Sequence, residues 1–303
     1  MYAVVIEHVT KTFGPFTAVD DLSLTVPAGS IYGFIGPNGS GKTTTLRMIM
    51  RILHPDRGTI TVLGEERLGA ATDRVGYLPE ERGLYKQMKV RDVLRFYAEL
   101  KGVRHGRAVI EDWLARFGLA EWANKKVEAL SKGMSQKVQF IATVIHRPEL
   151  VLLDEPFSGL DPVNAEVLRE AVLDLRRQGA TVIFSTHDMS MAEKMCDFIF
   201  MIYRGRKVLD GTLQSIRETY GRDTLRVRLE GNGVSLEALP GVVRVSDFGN
   251  WKELRLQRDA DAQAVLAALL PRGRISHFEL AQPSLEDIFI RIASPATEGN
   301  KHA

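Results

Sequence analysis

Short apolar runs alternate with helix-like segments along the chain as far as about residue 218. The clearest runs begin at Ser30 (SIYGFIG), Leu150 (LVLLDE) and Thr181 (TVIFSTH), and each of them ends in polar residues. Continuous apolar runs of this length are typical of strands that are buried on both faces of a parallel sheet. The pattern therefore predicts an α/β domain with a largely parallel sheet over residues 1–218.

Between about residues 84 and 146 the pattern becomes mostly helical. Val90, Val93, Leu94 and Tyr97 recur at the spacing of one helix face. We expect this stretch to form a helical subdomain inserted between two strands of the sheet.

A second domain is predicted over residues 219–293, after the polar segment ETYGRDT. Its pattern indicates four strands (LRVRLE, VVRVSDF, KELRLQ, RISHFEL), a turn at EGNG after the first, and two helices (AQAVLAALL, PSLEDIFIRI). This order predicts a small α+β unit. The polar tail, residues 294–303, is expected to be disordered.

Composition narrows the possible classes of protein. The 303 residues suffice for two domains, and a formal net charge of +2 gives no long-range attraction to nucleic acid, so no nucleic-acid partner is expected. The single cysteine, Cys196, excludes an intrachain disulfide. No signal peptide and no apolar run near the ~20 residues that span a bilayer are visible. We expect a cytoplasmic protein without a membrane-spanning segment of its own.

The strand that begins at Ser30 leads directly into GPNGSGKTT, which matches the phosphate-binding loop G-x-x-x-x-G-K-[ST]. Glycines let backbone N–H groups point at phosphate oxygens, and the following helix adds its positive N-terminal end. Lys42 is expected to reach the β- and γ-phosphates, Thr43 to bind Mg²⁺ and Thr44 to support the α-phosphate. The predicted phosphate-binding residues are Gly36, Pro37, Asn38, Gly39, Ser40, Gly41, Lys42, Thr43 and Thr44.

An acidic pair ends the strand LVLLDE. Asp154 is predicted to hold Mg²⁺, and Glu155 is predicted to act as the general base that polarises the attacking water. An isolated acidic pair could equally be a solvated strand end. Together with the phosphate loop, the pair favours an enzyme that hydrolyses a nucleotide.

The segment LSKGMSQ, from Leu130, places Ser131 and Gly133 before a predicted helix, where a hydroxyl and free amides form a second anion site. With this segment between the phosphate loop and the acidic pair, residues 3–218 resemble the ATP-binding subunits of ABC transporters. The resemblance implies a P-loop NTPase core, ATP and Mg²⁺ as cofactors, and a separate transmembrane permease as partner. It further implies a head-to-tail dimer, either homodimer or heterodimer, that holds ATP between subunits at the inner face of the cell membrane.

The same resemblance assigns roles to three further residues. Phe13, in KTFG, matches an aromatic that stacks on adenine, with Phe16 as the competing candidate. His187 matches a histidine that contacts the γ-phosphate. Asp161, in SGLD, matches a loop that crosses the dimer interface, although it could simply cap a helix that begins near Pro162.

Two departures from the common family pattern are informative. Glu80, in GYLPEERGLY, stands where a glutamine usually touches Mg²⁺, so it is predicted at the metal with an added negative charge. Lys132 replaces a glycine, and it either adds charge near the γ-phosphate or is a solvated side chain at a helix start. These departures and PSLEDIFI resemble the subunits of sodium-efflux and drug-resistance exporters, which implies export and an accessory C-terminal domain. The pattern does not identify the cargo.

Two other functions are compatible with a nucleotide-binding core. A soluble ABC ATPase that acts on DNA or ribosomes would carry a coiled-coil insertion, tandem cassettes or strongly basic segments, and the sequence has none of these. A regulatory nucleotide-binding module without turnover would not need Glu155 and His187. The sequence therefore favours an ATP-hydrolysing transporter subunit.

Overall fold

The computed structural model describes residues 1–66, 71–81, 83–103, 106–220, 223–230, 236–257 and 260–293. The predicted tail, 294–303, and most of the predicted turn EGNG lie outside the described residues. The chain divides into two compact units, of which the first is Met1–Thr212 and the second begins at Leu213. The predicted boundary after residue 218 falls inside a helix, Leu213–Tyr220.

The first unit contains strands and helices that we number in chain order. The strands are β1 (Tyr2–Phe13), β2 (Phe16–Pro27), β3 (Ile31–Ile35), β4 (Arg57–Val62), β5 (Val75–Leu78), β6 (Leu150–Asp154), β7 (Thr181–Thr186), β8 (Phe198–Tyr203) and β9 (Arg206–Gly211). The helices are α1 (Lys42–Ile49), α2 (Val90–Leu100), α3 (Arg107–Arg116), α4 (Lys132–Val144), α5 (Pro162–Arg177) and α6 (Met189–Met195).

A six-stranded sheet in the order β5-β6-β7-β3-β8-β9 forms the centre of this unit. All its neighbouring pairs are parallel except β8 with β9, and every residue of β3, β6 and β7 is buried. The predicted α/β fold is therefore confirmed. Because parallel strands end at the same edge of the sheet, the segments that follow β3, β6 and β7 come together there.

A separate antiparallel sheet, in the order β2-β1-β4, was not predicted from the sequence. Its core-facing side chains, such as Val4 and Leu22, share a hydrophobic cluster with Phe34 of β3 and Ile49 of α1. The pairing of β1 with β2 places Phe13 opposite Phe16 at the closed end of the hairpin.

The predicted helical stretch is confirmed by α2, α3 and α4. Val90, Val93 and Leu94 of α2 are fully buried in one cluster with Ile110 of α3 and Phe140 of α4. The same cluster includes residues of β6 and β7, so the helices share a hydrophobic core with the central sheet.

The second unit is an α+β structure, as predicted. Four strands, β10 (Thr224–Glu230), β11 (Val242–Asp247), β12 (Lys252–Leu256) and β13 (Arg274–Ala281), form an antiparallel sheet in the order β11-β12-β10-β13. The helices are α7 (Leu213–Tyr220), α8 (Ala262–Leu269) and α9 (Leu285–Ala293). Arg291 of α9 donates two hydrogen bonds to the carboxylate of Asp223, at 2.9 and 3.1 Å. Within the described ranges, no helix combines the length and apolar character needed to cross a membrane.

The close approach of α4 to the sheet generates a prediction about stability. A Cβ atom added at Gly76 of β5 would lie 2.5 Å from the carbonyl oxygen of Thr143, which belongs to the backbone of α4. Gly76→Ala must therefore push the helix from the sheet, and we expect it to lower the free energy of unfolding by about 1–3 kcal/mol in urea denaturation. Gly83→Ala, where the new atom would meet nothing within 4 Å, is the control. Unchanged stability of Gly76→Ala would contradict this packing.

Candidate active site

The loop from Gly36 to Gly41 connects β3 to α1 and can be built only with glycine at two of its positions. A Cβ atom at Gly36 would lie 2.3 Å from the carbonyl oxygen of Ile202, and one at Gly41 would lie 2.6 Å from that of Ala18. Gly41 also has φ of +114°, in the region that favours glycine. Lys42, the first residue of α1, is buried, and its ammonium donates to the carbonyl oxygens of Gly36 and Pro37 at 2.7 and 3.2 Å.

This loop borders a cavity of about 410 Å³, which is within the usual size of small-molecule sites. The cavity is lined by Phe13, Phe16, Ala18, Asn38, Gly39, Gly41, Lys42, Thr43, Thr44, Glu80 and Glu155. The structure thus brings together residues that are far apart in the sequence. Phe13 and Phe16 are both exposed at the cavity, with 47% and 57% of their surface accessible, so either ring can contact a planar ligand.

Asp154, at the end of β6, is completely buried. Its Oδ1 accepts hydrogen bonds from the hydroxyl groups of Ser185, at 2.6 Å, and Thr43, at 3.1 Å. Its Oδ2 is buried and has no hydrogen-bond partner among the described residues. The carboxylate therefore has one oxygen fixed by the protein and one oxygen left for a further ligand.

Glu155, the next residue, is also buried and has a left-handed backbone conformation with φ of +48°. This conformation costs on the order of 1–3 kcal/mol in a residue other than glycine and is typical of functional sites. The amide of Glu155 donates to the hydroxyl of Ser185 at 2.8 Å, which helps to hold it. Its Oε1 lies 3.4 Å from Nζ of Lys42, and its Oε2 lies 3.0 Å from Nδ1 of His187.

The residues in this region fit Mg²⁺ and phosphate groups. Mg²⁺ prefers oxygen ligands and commonly uses one or two carboxylates, and the unpartnered Oδ2 of Asp154 beside the hydroxyl of Thr43 meets this requirement. The buried hydroxyl of Ser40 also has no partner in the described part of the chain, and its contact with phosphate stays a prediction. Glu80 is exposed at the cavity, and its role at the metal stays a prediction.

Ser131 and Gly133 lie outside the residues that line the cavity. Ser131 is the exposed N-cap of α4, and its hydroxyl oxygen accepts a hydrogen bond from the amide of Met134 at 3.2 Å. The expectation that both residues precede the helix was wrong for Gly133, which is the second residue of α4. The N-cap bond allows the helix to begin one residue after Ser131.

Asp161 also lies outside the cavity lining. It caps α5, because its Oδ1 accepts a hydrogen bond from the amide of Asn164 at 3.0 Å. The hydrogen bonds from the backbone and side chain of Asn164 lower the pKa of Asp161 below its ordinary value. The capping alternative is therefore confirmed, whereas a role at an interface stays a prediction.

Two residues that sequence reasoning missed connect the elements of the site. Ser185 of β7 bonds both Asp154 and the amide of Glu155. Gln136 of α4 is buried, and its side-chain amide donates to the carbonyl oxygen of Pro156 at 3.1 Å. Lys132, for which the sequence allows two roles, extends its side chain over Gly159, where a Cβ atom would lie 2.7 Å from the ammonium nitrogen.

Comparisons with known proteins agree on one family. A family model described as "ABC transporter" matches residues 19–158, and one described as "ATP-binding protein DrrA1-3-like, C-terminal domain" matches residues 211–293. The uncharacterized ABC transporter ATP-binding protein YhaQ of Bacillus subtilis is 44% identical over 94% of this chain and 96% of its own. The linearmycin resistance ATP-binding protein LnrL of the same organism is 32% identical over 94% of this chain and 96% of its own. A solved ATP-binding subunit of an ABC transporter aligns with a TM-score of 0.68 and 30% identity over 72% of this chain and 93% of its own.

Ser185 offers a specific test of the site. Ser185→Ala removes a hydrogen bond to the buried Asp154 carboxylate and the contact that holds the Glu155 amide. Hydrogen bonds to charged groups contribute about 1.5–3 kcal/mol, so we expect ATP turnover to fall by about 10- to 100-fold. Phosphate release measures this rate.

The matched control is Ser30→Ala. Ser30 is also buried, and its hydroxyl donates to the carbonyl oxygen of Pro27 at 2.6 Å, away from the cavity. The Ser30→Ala variant should lose about as much folding stability as Ser185→Ala does, and it should keep the wild-type rate of ATP turnover. If Ser185→Ala hydrolysed ATP as fast as this control, Ser185 would not position the acidic pair.

Proposed function

This chain belongs to the ATP-binding subunits of ABC transporters, which bind and hydrolyse ATP, and we propose that it powers a separate transmembrane permease that works as an exporter. The similarity to a linearmycin resistance ATP-binding protein and the C-terminal family match support export. We place the protein in the cytoplasm, peripherally on the inner face of the cell membrane. The energy for transport would come from ATP bound at the cavity beside the phosphate loop.

The position of Glu155 carries the catalytic part of the proposal. Its carboxylate is buried between the ammonium of Lys42 and the ring of His187, at 3.4 and 3.0 Å. The γ-phosphate of ATP would compete with this carboxylate for both groups, because it carries the same sign of charge. Once Lys42 contacts phosphate, an oxygen of Glu155 is available to accept the proton of the attacking water.

The other residues of the site would bind and orient the nucleotide and its metal ion. The backbone of the phosphate loop and the hydroxyl of Ser40 would hold phosphate oxygens, while Phe13 or Phe16 would stack on the adenine. Mg²⁺, held by Thr43 and Asp154 with Glu80 nearby, would neutralise charge on the β- and γ-phosphates. His187 would contact the γ-phosphate from the side of Glu155.

We propose that Ser131, Gly133 and Asp161 serve the ATP of another subunit. Unlike Asp154 and His187, which bond the lining residues Thr43 and Glu155, they neither line the cavity of their own chain nor bond a lining residue in the described part of the chain. The exposed start of α4 offers helix amides without an acidic residue in the first turn. A helix N-terminus of this kind attracts anions. A head-to-tail dimer, homodimer or heterodimer, would place it against the γ-phosphate.

The first test concerns the general base. Glu155→Gln retains the shape of the side chain and removes its ability to accept a proton, so we expect ATP turnover to fall by at least about 100-fold. ATP binding should persist because Lys42 and the loop are unchanged, and a dimer should accumulate with Mg²⁺-ATP in size-exclusion chromatography. Glu149→Gln, an exposed change that breaks the ion pair with Arg74, is the matched control. Near-normal hydrolysis by Glu155→Gln would rule out this residue as the base.

The second test concerns the shared site, with chains that form homodimers. One variant is Lys42→Ala and the other is Gly133→Asp, whose carboxylate would repel the γ-phosphate. Each parent dimer then carries two damaged sites. In the mixed dimer, a head-to-tail arrangement combines both lesions in one site and leaves the other intact, so we expect nucleotide occlusion at roughly half the wild-type level.

The control for that experiment is Gly133→Ala, because a Cβ atom there would make only ordinary contacts of 3.5 Å with Leu160 and Asn164. This control separates the effect of the added negative charge from the effect of adding a side chain at this position. Occlusion that is as low in the mixed dimer as in both parents would argue for loop and α4 acting within one chain.

A further inference from the structure

The end of β1 that carries Phe13 extends beyond its neighbour β4. The ladder between these two strands ends where Thr10 pairs with Arg57, so the last three residues of β1 run past the end of β4. On the other side, the pairing of β1 with β2 shifts in register between Lys11 and Thr12. A register shift interrupts the regular ladder bonds. The strand pairs alone therefore fix the position of Phe13 poorly.

Asp56, the residue before β4, holds this strand end. Its amide donates to the carbonyl oxygen of Thr10 at 2.8 Å. Its Oδ2 accepts hydrogen bonds from the amide and the hydroxyl of Thr12, at 2.7 and 2.8 Å, and its Oδ1 accepts one from the ammonium of Lys11 at 2.8 Å. The bond from Lys11 and those from Thr12 lower the pKa of Asp56 to about 2, so the carboxylate is ionised at neutral pH. One side chain thus fixes both residues that precede Phe13.

The ammonium of Lys11 also distinguishes Phe13 from Phe16. It lies over the ring of Phe13, 5.5 Å from the ring centre, which is within the range of a cation–π interaction. Only 15% of the Lys11 side chain is accessible, so this contact is largely shielded from solvent. Phe16 has no cation over its ring in the part of the chain that the structure describes. The two rings at the cavity are therefore not equivalent.

This difference matters for a ligand that carries a flat aromatic base. A ring that is already held in place stacks on a base at a lower cost, because ordering a mobile side chain during binding reduces the affinity. The cation on one face of Phe13 leaves the opposite face for a base. Since Phe13 lines the cavity, it combines a fixed position with access to the ligand.

We propose that Asp56 is a positioning residue for the nucleobase: through Lys11 and Thr12, it holds Phe13, rather than Phe16, as the ring that stacks on adenine. The inference deepens the proposed function and rests on it, because it requires ATP in this cavity. Neither Asp56 nor Lys11 is among the residues that line the cavity, so both act through the ring. Binding of a ligand that has the phosphates of ATP but no base should therefore not depend on Asp56.

The experiment is isothermal titration of the full chain with Mg²⁺-ATP and with Mg²⁺-tripolyphosphate, which has no base. Stacking of a base on an aromatic side chain contributes about 5- to 150-fold in affinity. We expect Asp56→Ala to lose part of this and to bind ATP about 5- to 20-fold more weakly, with unchanged affinity for tripolyphosphate. Asp56→Asn, which keeps an acceptor for Thr12, should lose less. In turnover assays, KM for ATP should rise while kcat stays the same.

A double variant and a control make the test specific. Phe13→Leu has no ring to position, so Asp56→Ala/Phe13→Leu should bind ATP no more weakly than Phe13→Leu alone. The matched control is Asp21→Asn, because Asp21 is an exposed aspartate of the same sheet that pairs with His8 of β1 at 2.9 Å. This control should bind ATP as tightly as the wild type does.

Two results would overturn the assignment of Asp56 directly. One is additive loss of ATP affinity in the double variant, because the residue would then act on something other than Phe13. The other is equal weakening of ATP and tripolyphosphate binding by Asp56→Ala. Wild-type affinity for ATP in both Asp56 variants would also overturn this inference and would leave the proposed function intact. A wild-type chain that did not bind ATP would overturn both.

Discussion

Asp154 of β6 lies directly opposite Ser185 of β7 in the parallel ladder, and the remaining contacts of the site follow from this register. The opposition allows one hydroxyl to bond the Asp154 carboxylate and the amide of Glu155. The left-handed turn at Glu155 then directs its side chain to Lys42 and His187. A shift of one residue between the two strands would put the side chains of Asp154 and Ser185 on opposite faces of the sheet.

The same arrangement explains the charge of the site. The site buries two carboxylates: Glu155 pairs with the buried ammonium of Lys42, whereas Asp154 has no ion pair with any residue that the structure describes. Buried charges are expensive unless they are paired and hydrogen-bonded, and Asp154 retains an oxygen without a partner in the described residues. In the proposed function, a divalent cation bound with the polyphosphate would supply the missing positive charge, so we expect the binding of metal and of nucleotide to support each other.

The parts of the structure that sequence reasoning predicted are those with a local signal. The strands β3, β6 and β7 were predictable because every residue in them is buried, which requires a continuous apolar run in the sequence. The phosphate loop was predictable from the spacing of its glycines. The antiparallel sheet was missed because shifts in the register of β1, such as that between Ile6 and Val9, interrupt its alternation. Ser185 was missed because its partners lie 30 and 31 residues away, and only strand pairing brings them together.

The hydrogen bond from Gln136 to the carbonyl oxygen of Pro156 has a mechanical consequence. It attaches the first turns of α4 to the residue that directly follows Glu155, across a buried contact that cannot stretch without leaving polar groups unsatisfied. A displacement of the start of α4 is therefore expected to reach the Glu155 carboxylate, the proposed base, through this hydrogen bond. In the proposed dimer, that path would run from the γ-phosphate of one site to the base of the other. Movement of α4 at one site would then displace the carboxylate at the other, so we expect nucleotide binding at one site to affect hydrolysis at the other.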